Sequence, residues 1–280
     1  MRRSMLALLS LLFAVVATAA AAQQEKYTLA YNPEVGLKWE ARLSGVLTDI
    51  QLQGQSLGVR GDVASKYVSQ VTSKDEGKKE CTVQVAVSDL AANLNGNATT
   101  PQSPQPIELR VDRKGAVSDV KGNEDAAVGF MDTGGVPIML VAILAQTVRF
   151  GDEAVAVNDE WQFEDKYLVP GLGEVPINTR WQLAAVDGKV ATLRSSAAAA
   201  LPTFRVPNPM APGTEMDVKA GQAFITELEQ QYDMETSQLR SSQGKLKIAA
   251  QLDMQGMAVP VVLTMNFSLT PVEKATEPAR

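Results

Sequence analysis

The chain has 280 residues, with 26 basic against 32 acidic side chains, one cysteine and no histidine. A net charge of −6 supplies no basic stripe for phosphate groups, which argues against nucleic acid and anionic lipid surfaces as partners. Without histidine the usual near-neutral general base, the commonest metal ligand and the Ser/His and Cys/His nucleophile pairs are missing, and a lone thiol forms no internal disulfide.

Met1 to Ala22 carries Arg2 and Arg3, then an apolar core from Met5 through Val16, and ends in Ala20-Ala21-Ala22 ahead of Gln23. That is the layout of a cleaved secretory signal, and the small-residue end favours cleavage over an uncleaved anchor. No cysteine stands at the cleavage point for lipid attachment. Removal of residues 1–22 leaves 24 basic against 32 acidic residues, about −8, on a soluble chain expected in the periplasm or outside a bacterial cell. It would not be integral to the membrane.

An N-terminal β-unit is expected over 23–122. Lys26 to Tyr31 reads as a short strand and Asn32-Pro33 as a turn. Leu37, Trp39, Ala41 and Leu43 then alternate with Lys38, Glu40, Arg42 and Ser44, the period of a half-buried antiparallel strand. Val46 to Gln53 and Ser56 to Thr72 continue the meander, Lys74 to Lys79 is a charged turn, and Cys81 alternates with Val83, Val85 and Val87 on one face, which makes it a small core residue. Asn93 to Pro106, rich in turn formers and prolines, reads as a mobile surface loop. Ile107 to Val111 and Ala116 to Val120 form strands around an Asp112 to Gly115 turn.

Residues 123–151 form a helical segment on this reading. Gly134 to Phe150 is the one long apolar run after the N-terminus, with Pro137 where a first helical turn tolerates a missing N–H and Gly151 as a stop. Its polar residues, Gln146, Thr147 and Arg149, all fall in the last turn, so a buried helix is expected over 136–150.

A C-terminal β-unit is expected over 152–270. Val155 to Tyr167 is strand-like, and Asp187-Gly188 between Arg180 to Val186 and Lys189 to Leu193 is a strong hairpin signal, because a type I′ turn needs positive φ at both central residues. Ala197 to Gly213, with four prolines, reads as a long loop. Phe224, Leu228, Tyr232 and Met234 share one face of the next strand, with Ile225, Glu227, Glu229 and Gln231 on the solvent face. Leu246 to Leu252 and Val259 to Leu269 make a long hairpin across Gln255-Gly256. Pro271 to Arg280 is a polar tail expected to be disordered.

The runs Leu109 to Gly122 (LRVDRKGAVSDVKG), Val155 to Tyr167, Trp181 to Leu193 and Gln230 to Ile248, in the order hairpin, helix, "v.vGd.W", hairpin and late strand pair, resemble an uncharacterised family of exported, β-rich bacterial envelope proteins. The resemblance spans about two thirds of the mature chain and implies no activity or catalytic residue. The chain departs from the pattern at Asn158 and Ser237, where glycine is usual.

Glu227 and Glu229, two apart on one strand, would emerge about 7 Å apart, a spacing that glycoside hydrolysis uses. The carboxylates around Trp161 lack the repeated oxygen pattern and glycine of a calcium loop. Trp39 and Trp181 sit on the apolar phase of their strands, as core residues do. The collective feature is the apolar helix and the Met-bearing strands. They predict a mainly β (α+β) fold, an antiparallel curved sheet or half-barrel wrapped around the helix, with a concave interior lined by Ile138, Val141, Leu144, Met254 and Met265.

The expected function is that of a non-catalytic envelope protein that binds an apolar ligand such as a lipid, with no cofactor and no metal. Two alternatives stay open: a structural or protein-interaction module of the envelope, and a carboxylate hydrolase using Glu227 and Glu229.

Overall fold

The computed structural model describes residues 25–100, 106–122, 148–169, 173–207, 215–254 and 257–272. Sixteen strands follow one another: β1 (Lys26–Tyr27), β2 (Lys38–Leu52), β3 (Gln55–Ser56), β4 (Gly61–Asp75), β5 (Glu80–Leu94), β6 (Asn97–Thr99), β7 (Ile107–Asp112), β8 (Val117–Lys121), β9 (Val155–Ala156), β10 (Glu160–Val169), β11 (Gly173–Asp187), β12 (Val190–Leu201), β13 (Phe204–Pro207), β14 (Glu215–Asp233), β15 (Gln238–Met254) and β16 (Met257–Pro271). No helix occurs among the described residues.

Alternating apolar and polar side chains drive the sheet. In β7, Ile107, Leu109 and Val111 are buried while the residues between them are half exposed, and each strand gains from laying its apolar phase on a shared face. Fourteen strands join one antiparallel sheet in the order β10-β11-β12-β14-β15-β16-β2-β4-β5-β7-β8, with β3, β6 and β13 as short side pairings. The β16 to β2 ladder, Val261 opposite Leu52 through Pro271 opposite Ala41, joins the N-terminal strands to the C-terminal ones. One core cluster draws on both, for example Val83 and Leu109 with Leu193 and Leu246.

The sheet is open, and it curls. Its edge strands β8 and β10 lie close to one another without pairing. The gap at one end is bridged by Val148, Arg149 and Phe150, all buried: the Phe150 amide donates to the Lys114 carbonyl (2.9 Å), and Trp161 Nε1 on β10 donates to the Arg149 carbonyl (2.7 Å).

The same end of the sheet is covered by the chain's N-terminal segment. β1 pairs with β9, the Tyr31 amide donates to the Arg113 carbonyl, the Asn32 amide to Ser237 Oγ, and the Gly36 amide to the Val71 carbonyl. Tyr232 Oη donates to the Ala30 carbonyl at 2.8 Å and stacks obliquely on Phe150. Buried backbone groups need partners, and here a segment outside the main sheet finds them around the rim.

The mainly β, antiparallel expectation holds. The helix expected over 136–150 falls for residues 136–147 outside the described residues. Its last turn is corrected: residues 148–150 are not helical, because their polar groups bond across to β10 and the β7–β8 turn instead of along their own chain. The expected signal, residues 1–22, and residues 273–280 of the expected tail also lie outside the described residues, while Pro271, read as the start of a disordered tail, is corrected: it ends β16.

Two expected loops are partly strand. Asn95 (φ 51°) and Gly96 (φ 86°) form a tight turn that folds β6 back on β5, the geometry favoured for two-residue hairpins. Ala197 to Leu201 continue β12, and Phe204–Pro207 pairs with β14. A further phase is corrected on β14. Glu227 takes φ 55°, and pairing slips against both neighbours between Thr226 and Glu229 and between Ser195 and Ala197. One added residue reverses the alternation, so Ile225 (1% exposed), expected on the solvent face, faces inward on one side of the bulge while Leu228, Gln230 and Tyr232 face inward on the other.

Candidate functional site

The concave face is the place where apolar side chains meet without a uniform seal. Hydrogen-bonded register defines its rows. Nearest the covered end, Tyr67, Ala41, Tyr232 and Ala191 are fully buried, and Trp39 meets Tyr67 edge to face at 5.5 Å. Burial there raises the Tyr67 and Tyr31 hydroxyls well above their ordinary range and lifts the Cys81 thiol to about 11. A cavity of about 30 Å³, flanked by Tyr31, Trp39 and Ser69, lies beside this packing.

Toward the opposite end the burial falls away on the central strands. Ile50 faces Leu263, which faces Ile248; Leu52 faces Val261, which faces Ala250; and Leu252 faces Val259. Ile248 and Leu263 pack on the core from the inner face, and strand alternation puts Val261, Ala250, Leu252, Ile50 and Leu52 on that face too. Apart from Val259, every one of these residues is only half buried. β2 reaches this phase by the irregularity at Thr48, which brings Ile50 and Leu52 inward where simple alternation from Trp39 would turn them out.

Met265 lies in the adjoining row, buried, with its Sδ 2.9 Å from where a Cβ on Gly45 would sit. The missing side chain at Gly45 thus gives Met265 its seat. Met254 stands at the end of β15 opposite Met257. Ile138, Val141 and Leu144 lie outside the described residues.

Polar atoms interrupt this apolar interior. Thr179 Oγ1, Trp181 Nε1, Ser242 Oγ and Ser65 Oγ are buried and have no hydrogen-bond partner among the described residues. Thr179 and Trp181 are two apart on β11, hence on one face about 7 Å from each other. Thr179 lies between Phe163 and Ala197, and Trp181 between Trp161 and Ser195. The sequence reading began this strand at Arg180 and missed Thr179; its signal was a polar residue on the phase of Ile177 and Trp181.

The inward-facing charges are neutralised locally. Arg149 donates through Nε and Nη2 to the two carboxylate oxygens of Asp165 (2.8 and 3.1 Å), and its guanidinium lies 4.2 Å over the Phe163 ring. Asp233, near the covered end, binds Arg240 at 2.5 Å and accepts from the Glu235 and Thr236 amides at 3.0 Å.

Glu227 and Glu229 stand outside this interior. Glu229 pairs with Arg194 at 3.3 Å. Glu227 is exposed at the bulge and borders an outer depression of about 370 Å³ with Ser44, Gln243, Lys245 and Asn266. The bulge breaks the simple two-residue relation assumed from sequence. Among the described residues no group of three or more Cys, Asp or Glu side chains could hold a metal ion, and no helix is long and apolar enough to cross a membrane.

No family model matches the chain, and no curated protein matches it. Among solved structures, one described as lipid-protein interactions in lipovitellin aligns with 89% of this chain and 26% of its own length, at 10% identity and a TM-score of 0.48. The chain therefore spans about a quarter of that protein.

Proposed function

We propose that this is a non-catalytic, exported envelope protein that takes up an apolar ligand of the lipid class in the concave face of its sheet. The observation that carries the reading is the half-buried inner band formed by Ile50, Leu52, Ile248, Leu252, Val261 and Leu263. Apolar surface left in contact with water costs about 25 cal/mol per Å² relative to burial, so a ligand chain laid along this band is stabilised there. Export rests on the signal layout of Met1 to Ala22 and on the resemblance to envelope proteins. The non-catalytic reading rests on the absence of histidine from the chain.

The test is native mass spectrometry of the mature protein purified from its own host's envelope, before and after organic extraction. A co-purifying mass that extraction releases and that proves to be a lipid supports the reading. A bare chain mass, together with failure to take up the apolar fluorophore N-phenyl-1-naphthylamine, sinks it.

A further inference from the structure

Resting on that reading, we propose that the interior seats an uncharged acyl ester head-first, with the ester group against Thr179 and Trp181 and the acyl chain along the half-buried band. The unexplained groups are the starting point. Thr179 is 7% exposed and Trp181 3% exposed, and neither Thr179 Oγ1 nor Trp181 Nε1 has a hydrogen-bond partner among the described residues. Buried polar groups are as a rule satisfied, and each one left unsatisfied calls for an occupant.

Their chemistry restricts that occupant. An indole N–H only donates, so whatever meets Trp181 must present an acceptor; the Thr179 hydroxyl can supply a second donor. An ester carbonyl is acceptor-only and fits both.

Charge restricts it further. The cation that reaches this row is Arg149, whose guanidinium lies over the Phe163 ring opposite Thr179, and both oxygens of Asp165 already hold it. Asp165 pairs in register with Ile177, one row from Thr179. A carboxylate or phosphate head placed here would be desolvated without a free cation to meet it, which is strongly unfavourable. An alkane would leave the two polar atoms unmet.

Position completes the case. In hydrogen-bonded register Thr179 lies in the row of Ala197, Ile225, Leu246 and Met265, directly beyond the row of Ile248 and Leu263 where the half-buried band begins. The polar pair thus lies deeper than the apolar band, as a head-first ligand requires. Ser242 and Ser65, both buried and without a hydrogen-bond partner among the described residues, continue the polar set toward the covered end.

The experiment is displacement of N-phenyl-1-naphthylamine from the mature protein by glyceryl monolaurate, laurate and dodecane, followed by fluorescence. Glyceryl monolaurate should compete about tenfold better than either of the others. Thr179→Val and Trp181→Phe should each weaken it about fivefold, the loss of one hydrogen bond, and leave dodecane unchanged. Equal competition by glyceryl monolaurate and dodecane, or variants that weaken both alike, overturns the ester seat while the apolar-ligand reading stands. Laurate winning over glyceryl monolaurate overturns the uncharged head. A wild-type protein that takes up neither the fluorophore nor any competitor overturns this inference together with the reading beneath it.

Discussion

Arg149 holds Asp165 by a two-pronged contact, Nε to Oδ2 at 2.8 Å and Nη2 to Oδ1 at 3.1 Å, with the arginine side chain 8% exposed and the aspartate 17%. Arg149 Nη1 also donates to the Lys114 carbonyl on the β7–β8 turn. One residue therefore ties both edges of the curled sheet, and the contact depends on geometry that only a guanidinium supplies.

Breaking that contact from one side should be costly. Asp165→Asn leaves a buried guanidinium with only the more distant Asp112 carboxylate, 4.0 Å from Nη1, to compensate it, and a loss of about 3 kcal/mol is expected. The double variant Arg149→Met with Asp165→Leu should be closer to wild type than either single change. Urea denaturation of the four proteins measures this; equal, additive losses would show that the pair is not coupled.

Gly115 should not tolerate a side chain. It has φ 74°, and a Cβ there would stand 1.8 Å from the Val148 carbonyl oxygen. Gly115→Ala must move the backbone that carries Arg149, so a loss above about 2 kcal/mol is expected by thermal or urea unfolding. A variant with wild-type stability would mean that residues 148–150 can shift freely.

Cys81 should be inert. Burial lifts its pKa from 9.0 to about 11, which at pH 8 lowers the thiolate fraction about 100-fold. Iodoacetamide should label the native protein at least about 100 times more slowly than the urea-unfolded chain. The shift has a sign for stability too: folding disfavours the thiolate, so this contribution is lost as pH rises from 9 through 11.

Acid should weaken the covered end through Asp233. Burial alone would raise its carboxyl, but the Thr236 and Glu235 amides and the Arg240 guanidinium together bring it below the ordinary carboxylate range. A lowered folded pKa gives stability that is complete above the unfolded value near 4 and is lost as pH falls through the folded one. Asp233→Asn should cost about 2 kcal/mol at pH 7, with the gap to wild type closing by pH 2. Parallel urea curves at the two pH values test it.

Ser237 combines strain with a bond. Its φ is 55°, its Oγ accepts from the Asn32 amide at 3.0 Å, and it donates to the Ala30 carbonyl at 3.3 Å. Ser237→Ala keeps the strain and loses both bonds, whereas Ser237→Gly loses the bonds and relieves the strain. The alanine variant should be less stable than the glycine variant by about 1 kcal/mol. The reverse order in thermal unfolding would refute this account.

Much of the architecture was legible because strand period and turn chemistry are local. A hairpin joins β11 to β12 as expected, but with Asp187 opposite Val190 its two turn residues are Gly188 and Lys189, one position later than the Asp187-Gly188 turn read from sequence, and of the two positive φ values expected only that of Gly188 (56°) is found. What escaped were the bulges. Nothing in the residues around Glu227 announces a left-handed backbone, yet that one irregularity puts Ile225 on the same face as Leu228 and Tyr232. The Arg149 to Asp165 contact joins residues 16 apart across an edge that no periodicity reveals. Thr179 was hidden in a different way, by a strand start placed seven residues too late, at Arg180 instead of Gly173.

The N-terminal segment that covers one end of the sheet also sets the order in which the protein can be made. Its partners lie on Arg113, Ala156, Tyr232 and Ser237, as many as 207 positions along the chain. β2 likewise completes its pairing only with β16, the last strand. Residues that emerge early are thus among the last to find their places, and contact order this high slows folding. A chain delivered N-terminus first stays unfinished until its final strand arrives, with its sheet edges exposed to other chains meanwhile.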